Sequence, residues 1–159
     1  MEAEHNGAVY DQMCLAIYNS NRYFHKLYQL ILEDYDLTYL QYLSIFVTWR
    51  LQGAQLKDIC DNLELASSTL TPVVQKLVQK GWLLKQTSKT DGRVRELVVA
   101  PSKAHHFEDI LARIGAVQDK LITQSPLALE RMLIETQTIN KVLLQVIQEE
   151  EHNNESRTN

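Results

Sequence analysis

The chain has 159 residues, of which 45% are apolar and 23% charged, and it contains only 2 Cys. This length and composition suit one folded domain with a sizeable core. Two thiols are too few for a disulfide scaffold, and no apolar run approaches the ~20 residues that span a bilayer. We therefore expect neither a secreted nor a membrane protein but a cytoplasmic one with reduced thiols. The formal charge of −4 by itself disfavours a polyanionic partner.

The charge is unevenly distributed along the chain. Residues 45–100 carry eight basic and five acidic side chains, whereas residues 1–44 carry two basic and six acidic ones. Residues 101–159 are acidic as well, with six basic and nine acidic side chains. Because a bound phosphate responds to the local potential, the middle third can bind a polyanion despite the acidic average.

The first segment has the pattern of a long helix over residues 8–33. Its one-face residues recur with alternating spacings of four and three, which is typical of helices that pack along their length. We therefore predict an N-terminal dimerisation helix within residues 1–36. The stripe consists of Tyr10, Cys14, Ile17, Asn21, Phe24, Tyr28 and Ile31.

Two shorter helices are predicted next. Thr38 is expected to cap a very apolar helix from Tyr39 to Leu51, which Gly53 ends. A short amphipathic helix follows, with one apolar face. That face consists of Leu56, Ile59, Cys60 and Leu63.

A capped helix and a hairpin complete the central region. Ser67 or Ser68 is expected to cap the helix, with Pro72 near its first turn and Gly81 at the position just after its end. Two apolar runs, 82–84 and 97–99, then flank a polar loop over residues 88–93 that has hairpin-turn chemistry. The order of short helix, tight turn, capped helix and basic hairpin predicts a winged helix-turn-helix over residues 37–100.

This architecture indicates DNA binding. The second helix of such a unit enters the major groove, so its outward face is short and polar while apolar side chains pack inward. The basic hairpin suits the negative potential of the minor groove. The predicted outward residues are Ser67, Ser68, Thr69, Thr71, Gln75 and Lys76; the inward ones are Leu70, Val73, Val74 and Leu77; the hairpin residues are Lys89, Arg93 and Arg95.

The last part of the chain is predicted to be helical. Two helices, at about 104–123 and 127–149, are separated by Ser125 and Pro126. We expect residues 101–149 to form C-terminal dimerisation helices. The polar run that follows predicts a disordered tail over residues 150–159.

Three segments resemble the MarR family of dimeric transcriptional regulators. They are residues 37–42 (Leu-Thr-Tyr-Leu-Gln-Tyr), 68–72 (Ser-Thr-Leu-Thr-Pro) and 91–93 (Asp-Gly-Arg). The resemblance covers most of the chain and implies a mainly α-helical winged fold whose N- and C-terminal helices form a dimer. It also implies that Ser68, Thr69, Gln75 and Lys76 face the major groove, and that Arg93 enters the minor groove while Asp91 braces the wing.

Cys14 is the predicted redox-sensing residue. Its position, with Tyr28 and Tyr39 downstream, is similar to the OhrR-like, one-cysteine branch of the MarR family. That resemblance implies that two tyrosine hydroxyls hold the oxidisable thiolate, which is the nucleophile toward a peroxide. Cys14 and Tyr28 lie roughly 21 Å apart on one straight helix at ~1.5 Å per residue, so their contact requires a second copy of the chain.

A simpler interpretation is that Cys14 only packs in the helix stripe, as free cysteines often do. Cys60 lies among inward apolar residues, and we expect core packing for it. His105 and His106 are adjacent rather than four apart, so their side chains diverge and no metal site is expected.

Taken together, the sequence predicts a repressor that is not an enzyme, needs no cofactor and binds a pseudo-palindromic operator in double-stranded DNA as a homodimer. Oxidation of Cys14 by a hydroperoxide, with a low-molecular-weight thiol as a further partner, would release the operator. Two alternatives stay open. One is a MarR-type regulator released by a small phenolic or other ligand in the dimer cleft, and the other is a thiol peroxidase-like enzyme.

Overall fold

The computed structural model describes residues 2–87, 95–124 and 129–158 of the chain. Within these ranges it consists of helices and one antiparallel β-hairpin, which confirms the mainly helical winged helix-turn-helix expected from the sequence. The elements in chain order are α1 (Glu2–Leu32), a 3-10 turn (Glu33–Tyr35), α2 (Tyr39–Arg50), α3 (Leu56–Leu63), α4 (Ser67–Gln79), β1 (Leu83–Thr87), β2 (Arg95–Val99), α5 (Pro101–Gln124) and α6 (Leu129–Thr158).

The chain divides into two compact units, Met1–Ile114 and Gly115–Asn159. The first contains every element from α1 to β2 and the beginning of α5, and the second contains the end of α5 and α6. The predicted divisions after residues 36 and 100 both fall inside the first unit. The dimerisation roles assigned to residues 1–36 and 101–149 therefore stay predictions.

The first helix begins earlier than the apolar pattern indicates, at Glu2 rather than residue 8. The stripe starts only at Tyr10, and the residues before it have no periodic apolar pattern that would indicate the additional turns. A 3-10 turn then ends in Asp36, which has a left-handed backbone with φ of 52°. This turn reverses the chain before α2.

The start of α2 is fixed by a capping box, and the predicted cap is confirmed. The Gln41 amide donates to Oγ1 of Thr38 at 3.3 Å, while Oε1 of Gln41 accepts from the Thr38 amide at 3.0 Å. Two backbone donors at the helix entrance are thereby satisfied by side chains.

Thr38→Ala is expected to destabilise the protein by about 1 kcal/mol, because the substitution removes the acceptor for the first of these bonds. Urea unfolding at fixed protein concentration measures the change. Thr136→Ala on α6 is the matched control. The Thr136 hydroxyl only donates back to the Met132 carbonyl within its own helix, at 2.7 Å. An equal loss of stability in both variants would contradict the capping role.

The end of α2 differs from the prediction. Gln52, not Gly53, adopts the left-handed conformation, with φ of 58°. The Gln52 amide donates to the Trp49 carbonyl and the Gly53 amide to the Thr48 carbonyl, both at 3.1 Å, which closes the last turn. Gly53 has φ of 133° and lies one residue beyond, close to the Glu96 side chain.

The recognition-helix candidate α4 lacks the predicted serine cap. Ala66 is the N-cap residue and makes no side-chain capping bond, so the assignment of Ser67 or Ser68 as the cap was wrong; both belong to the helix itself. At the other end, Gly81 is left-handed with φ of 70°, as predicted. The Gly81 amide donates to Val78 at 3.0 Å and the Trp82 amide to Leu77 at 2.9 Å, which is a Schellman motif.

The helices α2, α3 and α4 share one core with the hairpin. Its buried members come from four elements and the α2–α3 connection, so the position of α4 is set by packing rather than by its cap. Leu56, Cys60, Leu63 and Leu65 pack against this core from the side. The buried residues are Val47, Ala54, Ile59, Leu70, Val74 and Leu97.

The hairpin is antiparallel, with Leu83 opposite Val99 and Thr87 opposite Arg95. It is longer than the apolar runs 82–84 and 97–99 that predicted it. A β-bridge also joins Leu97 to Ala54 in the α2–α3 connection, where two backbone bonds of 3.0 and 2.8 Å form. The wing is therefore hydrogen-bonded to the helix-turn-helix.

The helix α5 extends beyond both of its predicted limits, and α6 ends later than predicted. Pro101 occupies the first position of α5, where its missing N–H costs no helical bond. α6 continues to Thr158, so the polar run that predicted a disordered tail is helical; the Ser156 hydroxyl donates to the His152 carbonyl at 2.9 Å. The predicted break at residues 125 and 126 lies outside the described residues. No helix in the described ranges is long and apolar enough to cross a membrane.

Candidate nucleic-acid interface and thiol site

The outward face of α4 carries the residues that the sequence assigned to it. The inward side chains Leu70, Val74 and Leu77 are buried, which orients the opposite face toward solvent. Thr71 is only half-exposed, and its hydroxyl donates to the Ser67 carbonyl at 2.7 Å, so Oγ1 of Thr71 faces a partner chiefly as an acceptor. The fully exposed residues are Ser67, Ser68, Thr69, Gln75 and Lys76.

The described part of the hairpin contains one of the predicted DNA-binding residues, Arg95. This exposed arginine begins β2 opposite Thr87, so it stands on the strand rather than at the turn. The other predicted wing residues, Lys89, Asp91 and Arg93, lie outside the described residues.

Cys14 lies in the exposed half of the α1 stripe. Tyr10, Ile17 and Phe24 on the same stripe are 57%, 46% and 50% exposed, whereas Ile31 at its far end is 7% exposed. Such a row of large apolar side chains is costly to leave in water. The structure therefore places the thiol, itself exposed, within a surface that a partner can cover.

Tyr10 is a neighbour of Cys14 that the sequence reasoning missed. The two residues lie one helical turn apart, and the Cys14 side chain raises the pKa of Tyr10, chiefly through its hydrogen-bonding interaction and then through its charge. The spacing of four residues on one helix was the available signal. A tyrosine hydroxyl and a thiol are thus neighbours on the exposed part of α1.

The two predicted sensor tyrosines are brought together by the turn between α1 and α2. The rings of Tyr28 and Tyr39 have centroids 4.4 Å apart, and Tyr42, which was not predicted, lies 5.6 Å from Tyr28. Burial raises the pKa of all three, for Tyr39 and Tyr42 with added charge repulsion from their neighbours. The three phenols are thus protonated hydrogen-bond donors at neutral pH.

Within one chain these tyrosines do not reach Cys14. The helix α1 is continuous from Glu2 to Leu32, so Cys14 and Tyr28 are separated by roughly 21 Å at ~1.5 Å per residue. A site that combines them requires two chains, as the spacing predicts.

The remaining candidates are Cys60 and the histidine pair. Cys60 is partly buried and packs against the core of the helix-turn-helix. His105 lies near Glu108 and Asp109, whereas His106 packs edge-on against Trp82, so the two imidazoles diverge. Among the described residues no cluster of three metal-ligating side chains forms.

A cavity of ≈ 970 Å³ separates the end of α1 from the end of α4. The ion pair between Nζ of Lys80 and Oδ2 of Asp36, 2.8 Å long, is at its edge. Cationic side chains outnumber acidic ones on its wall, so the cavity favours an anion. The charged and imidazole side chains of the lining are Arg22, His25, Lys26, Glu33, Asp36, Lys76 and Lys80.

The fold and the polar outward helix define the class of a winged helix-turn-helix regulator. A family model of transcriptional regulators, SarA/Rot, matches residues 26–110, which include α2, α3, α4 and the hairpin. The chain belongs to the SarA/Rot family of transcriptional regulators.

Characterised relatives are transcriptional regulators rather than enzymes. The chain is 35% identical over 82 residues to the regulator TtmR of Methylorubrum extorquens, and 32% identical over 83 residues to the organic hydroperoxide resistance transcriptional regulator of Bacillus subtilis. Each match covers 52% of this chain, and the chain spans 42% and 56% of those relatives. A longer match, to MgrA of Staphylococcus aureus, is 25% identical over 148 residues and covers 92% of this chain and 94% of MgrA.

Solved structures have the same fold. AbfR of Staphylococcus epidermidis superposes with a TM-score of 0.72 at 24% identity, over 91% of this chain and 99% of that chain. Overoxidized AbfR bound to DNA gives 0.71 at 26% identity, over 90% and 99%. A MarR regulator from Methanosarcina mazei gives 0.66 at 18% identity, over 86% and 99%, which confirms the MarR-type fold expected from the sequence.

Proposed function

We propose that this protein is a dimeric, DNA-binding repressor that releases its operator when an organic hydroperoxide oxidises Cys14. The observation that carries the proposal is the exposure of Cys14 in an apolar stripe on α1, one helical turn from Tyr10. Oxidation there adds a polar group to a surface that a second chain would cover.

The proposed DNA contacts begin with α4. Its exposed short side chains suit the major groove, and the basic hairpin suits the neighbouring minor groove. In a dimer, the two α4 helices bind half-sites about 34 Å apart, one turn of the duplex. A pseudo-palindromic operator follows from the two-fold symmetry.

The proposed chemistry is a two-electron oxidation. The Cys14 thiolate attacks the outer oxygen of the hydroperoxide, the O–O bond breaks, and the alcohol leaves after taking up a proton, while Cys14 becomes a sulfenic acid. A low-molecular-weight thiol then displaces water and forms a mixed disulfide. Tyr10 donates to the sulfur from the same helix, and Tyr28 and Tyr39 of a second chain supply the further donors in this proposal.

Two of the relatives support this assignment by what their names state. The Bacillus subtilis relative is a regulator of organic hydroperoxide resistance, and AbfR has been solved in reduced, disulfide and overoxidized forms. The proposal transfers oxidant response from those proteins to this chain through Cys14.

The decisive experiment is a DNA-binding titration of the reduced protein and of the same protein after cumene hydroperoxide. The probe is a labelled duplex made from the DNA upstream of the protein's own gene. We expect tight binding in the reduced form, at least about a tenfold loss after oxidation, and a mass increase at Cys14 but not at Cys60. Unchanged binding after full modification of Cys14 would contradict the proposal.

A second candidate function is release by a small ligand without thiol chemistry. The cationic cavity between α1 and α4 favours this alternative, because an aromatic carboxylate or phenolate there would contact both the recognition helix and α1. It predicts that such a compound lowers DNA affinity equally in the presence and absence of a free Cys14. The sensor proposal instead predicts that only oxidants act.

A further inference from the structure

A notch lies between the recognition helix and the hairpin. It is a cavity of ≈ 250 Å³ whose apolar floor includes Val74 and Leu97. Lys85 of β1 and Arg95 of β2 stand at its wing side, and Thr71 and Gln75 of α4 face them. Glu96 is the one acidic residue of the lining, so the notch is cationic on balance.

Strand register explains why two cations face the helix. Residues directly opposite each other in an antiparallel pair share one face, and Lys85 lies opposite Leu97 while Arg95 lies opposite Thr87. Leu97 belongs to the core together with Leu70 of α4. The face that packs on α4 therefore continues, beyond the buried leucine, into two exposed basic side chains.

The charge state of these two side chains decides what the notch can bind. Neither Lys85 nor Arg95 makes an ion pair with any residue in the ranges 2–87, 95–124 and 129–158. Lysine offers a phosphate a positive point charge, and arginine offers it a planar fork of donors.

We infer that the notch binds a phosphodiester of the DNA backbone, which Lys85 and Arg95 hold. This phosphodiester lies where the sugar-phosphate backbone separates the major groove from the minor groove. This inference rests on the proposed DNA-binding function. If α4 occupies the major groove and the hairpin reaches the minor groove, the sugar-phosphate strand between the grooves passes between α4 and the wing. The notch lies at that position and has the complementary charge.

Lys85 thereby becomes a DNA-contacting residue, and Arg95 changes its role. The sequence assigned Arg95 to the minor groove, whereas its place on the α4-facing side of β2 suits the backbone. Contacts to phosphate fix the register of a protein on the duplex and are independent of base sequence. The notch thus fixes the angle between the helix and the wing on DNA.

The test is the salt dependence of binding by the full chain to a mixed-sequence 30-base-pair duplex. Each neutralised phosphate contributes about −0.9 to the slope of log affinity against log salt concentration. We expect Lys85→Gln to make this slope shallower by about 0.9 for each notch that binds, and to weaken binding to all duplexes alike. Lys85→Arg should keep the wild-type slope.

Lys141→Gln is the matched control, because it removes the same charge from an exposed position on α6 in the other compact unit. It should leave the slope unchanged. Equal slopes for Lys85→Gln and Lys141→Gln, with wild-type protein that binds, would overturn the inference. If instead the wild type shows no salt-dependent DNA binding at all, it is the proposed function that fails.

Discussion

Cys14→Ser is expected to bind DNA as tightly as the wild type and to remain bound after treatment with cumene hydroperoxide. Serine is close to cysteine in size and is tolerated at an exposed position such as this one. Its hydroxyl, however, is not ionised at neutral pH and does not attack a peroxide. The measurement is anisotropy of labelled operator DNA before and after oxidation, in which the wild type should lose at least about tenfold in affinity.

Cys60→Ser is the matched control for this experiment. Cys60 packs against the core rather than in the exposed stripe, so the variant should keep the oxidant response even if it is slightly less stable. If the Cys14→Ser protein still releases DNA on oxidation, Cys14 is not the sensor. Loss of the response in Cys60→Ser alone would move that role to the other thiol.

Ile17→Glu is expected to convert the protein into a monomer and to lower DNA affinity by about 100-fold or more. Ile17 is 46% exposed in the single chain and lies one turn from Cys14 on the stripe. In a dimer its side chain would be covered, and a buried unpaired carboxylate is strongly unfavourable. The DNA effect follows because two linked half-site contacts bind about 10²- to 10⁴-fold tighter than one.

Sedimentation velocity at micromolar concentration measures the assembly, and circular dichroism checks that the fold is retained. Gln12→Glu is the control, since it adds the same charge to α1 at an exposed position off the stripe. A dimer that persists in Ile17→Glu would show that the stripe is not the interface, and the site shared by two chains would have to be abandoned.

Local signals predicted much of this fold. The Thr38 cap of α2, the polar face of α4 and the position of Gly81 just after α4 all depend on residues within a few positions of each other. Such features follow from helical spacing and backbone preference, both of which can be read from the sequence.

The features that the sequence did not reveal depend on tertiary packing. Ala66 caps α4 without a side-chain bond because the core under Leu70 already fixes where the helix begins. Gln52 adopts a left-handed backbone that propensity would have given to Gly53. Lys85 received no role because only the register of the hairpin puts it on the face toward α4.

Only part of the thiol site was predicted, because the rest of it depends on tertiary packing. Cys14, Tyr28 and Tyr39 could be named from their resemblance to a known pattern, and helix geometry already required a second chain. Tyr10 was available from its spacing, but Tyr42 enters the tyrosine cluster only through the packing of α2 on α1.

The β-bridge between Ala54 and Leu97 has a mechanical consequence for release. A hairpin attached only through its own ends could swing freely and leave the duplex before the helix does. Here two backbone hydrogen bonds fasten its second strand to the loop that leads into α3. The wing is therefore tied to the helix-turn-helix at two points. Under the proposed function, oxidation would then act on the spacing and tilt of the two DNA-binding units of a dimer rather than on the wing alone.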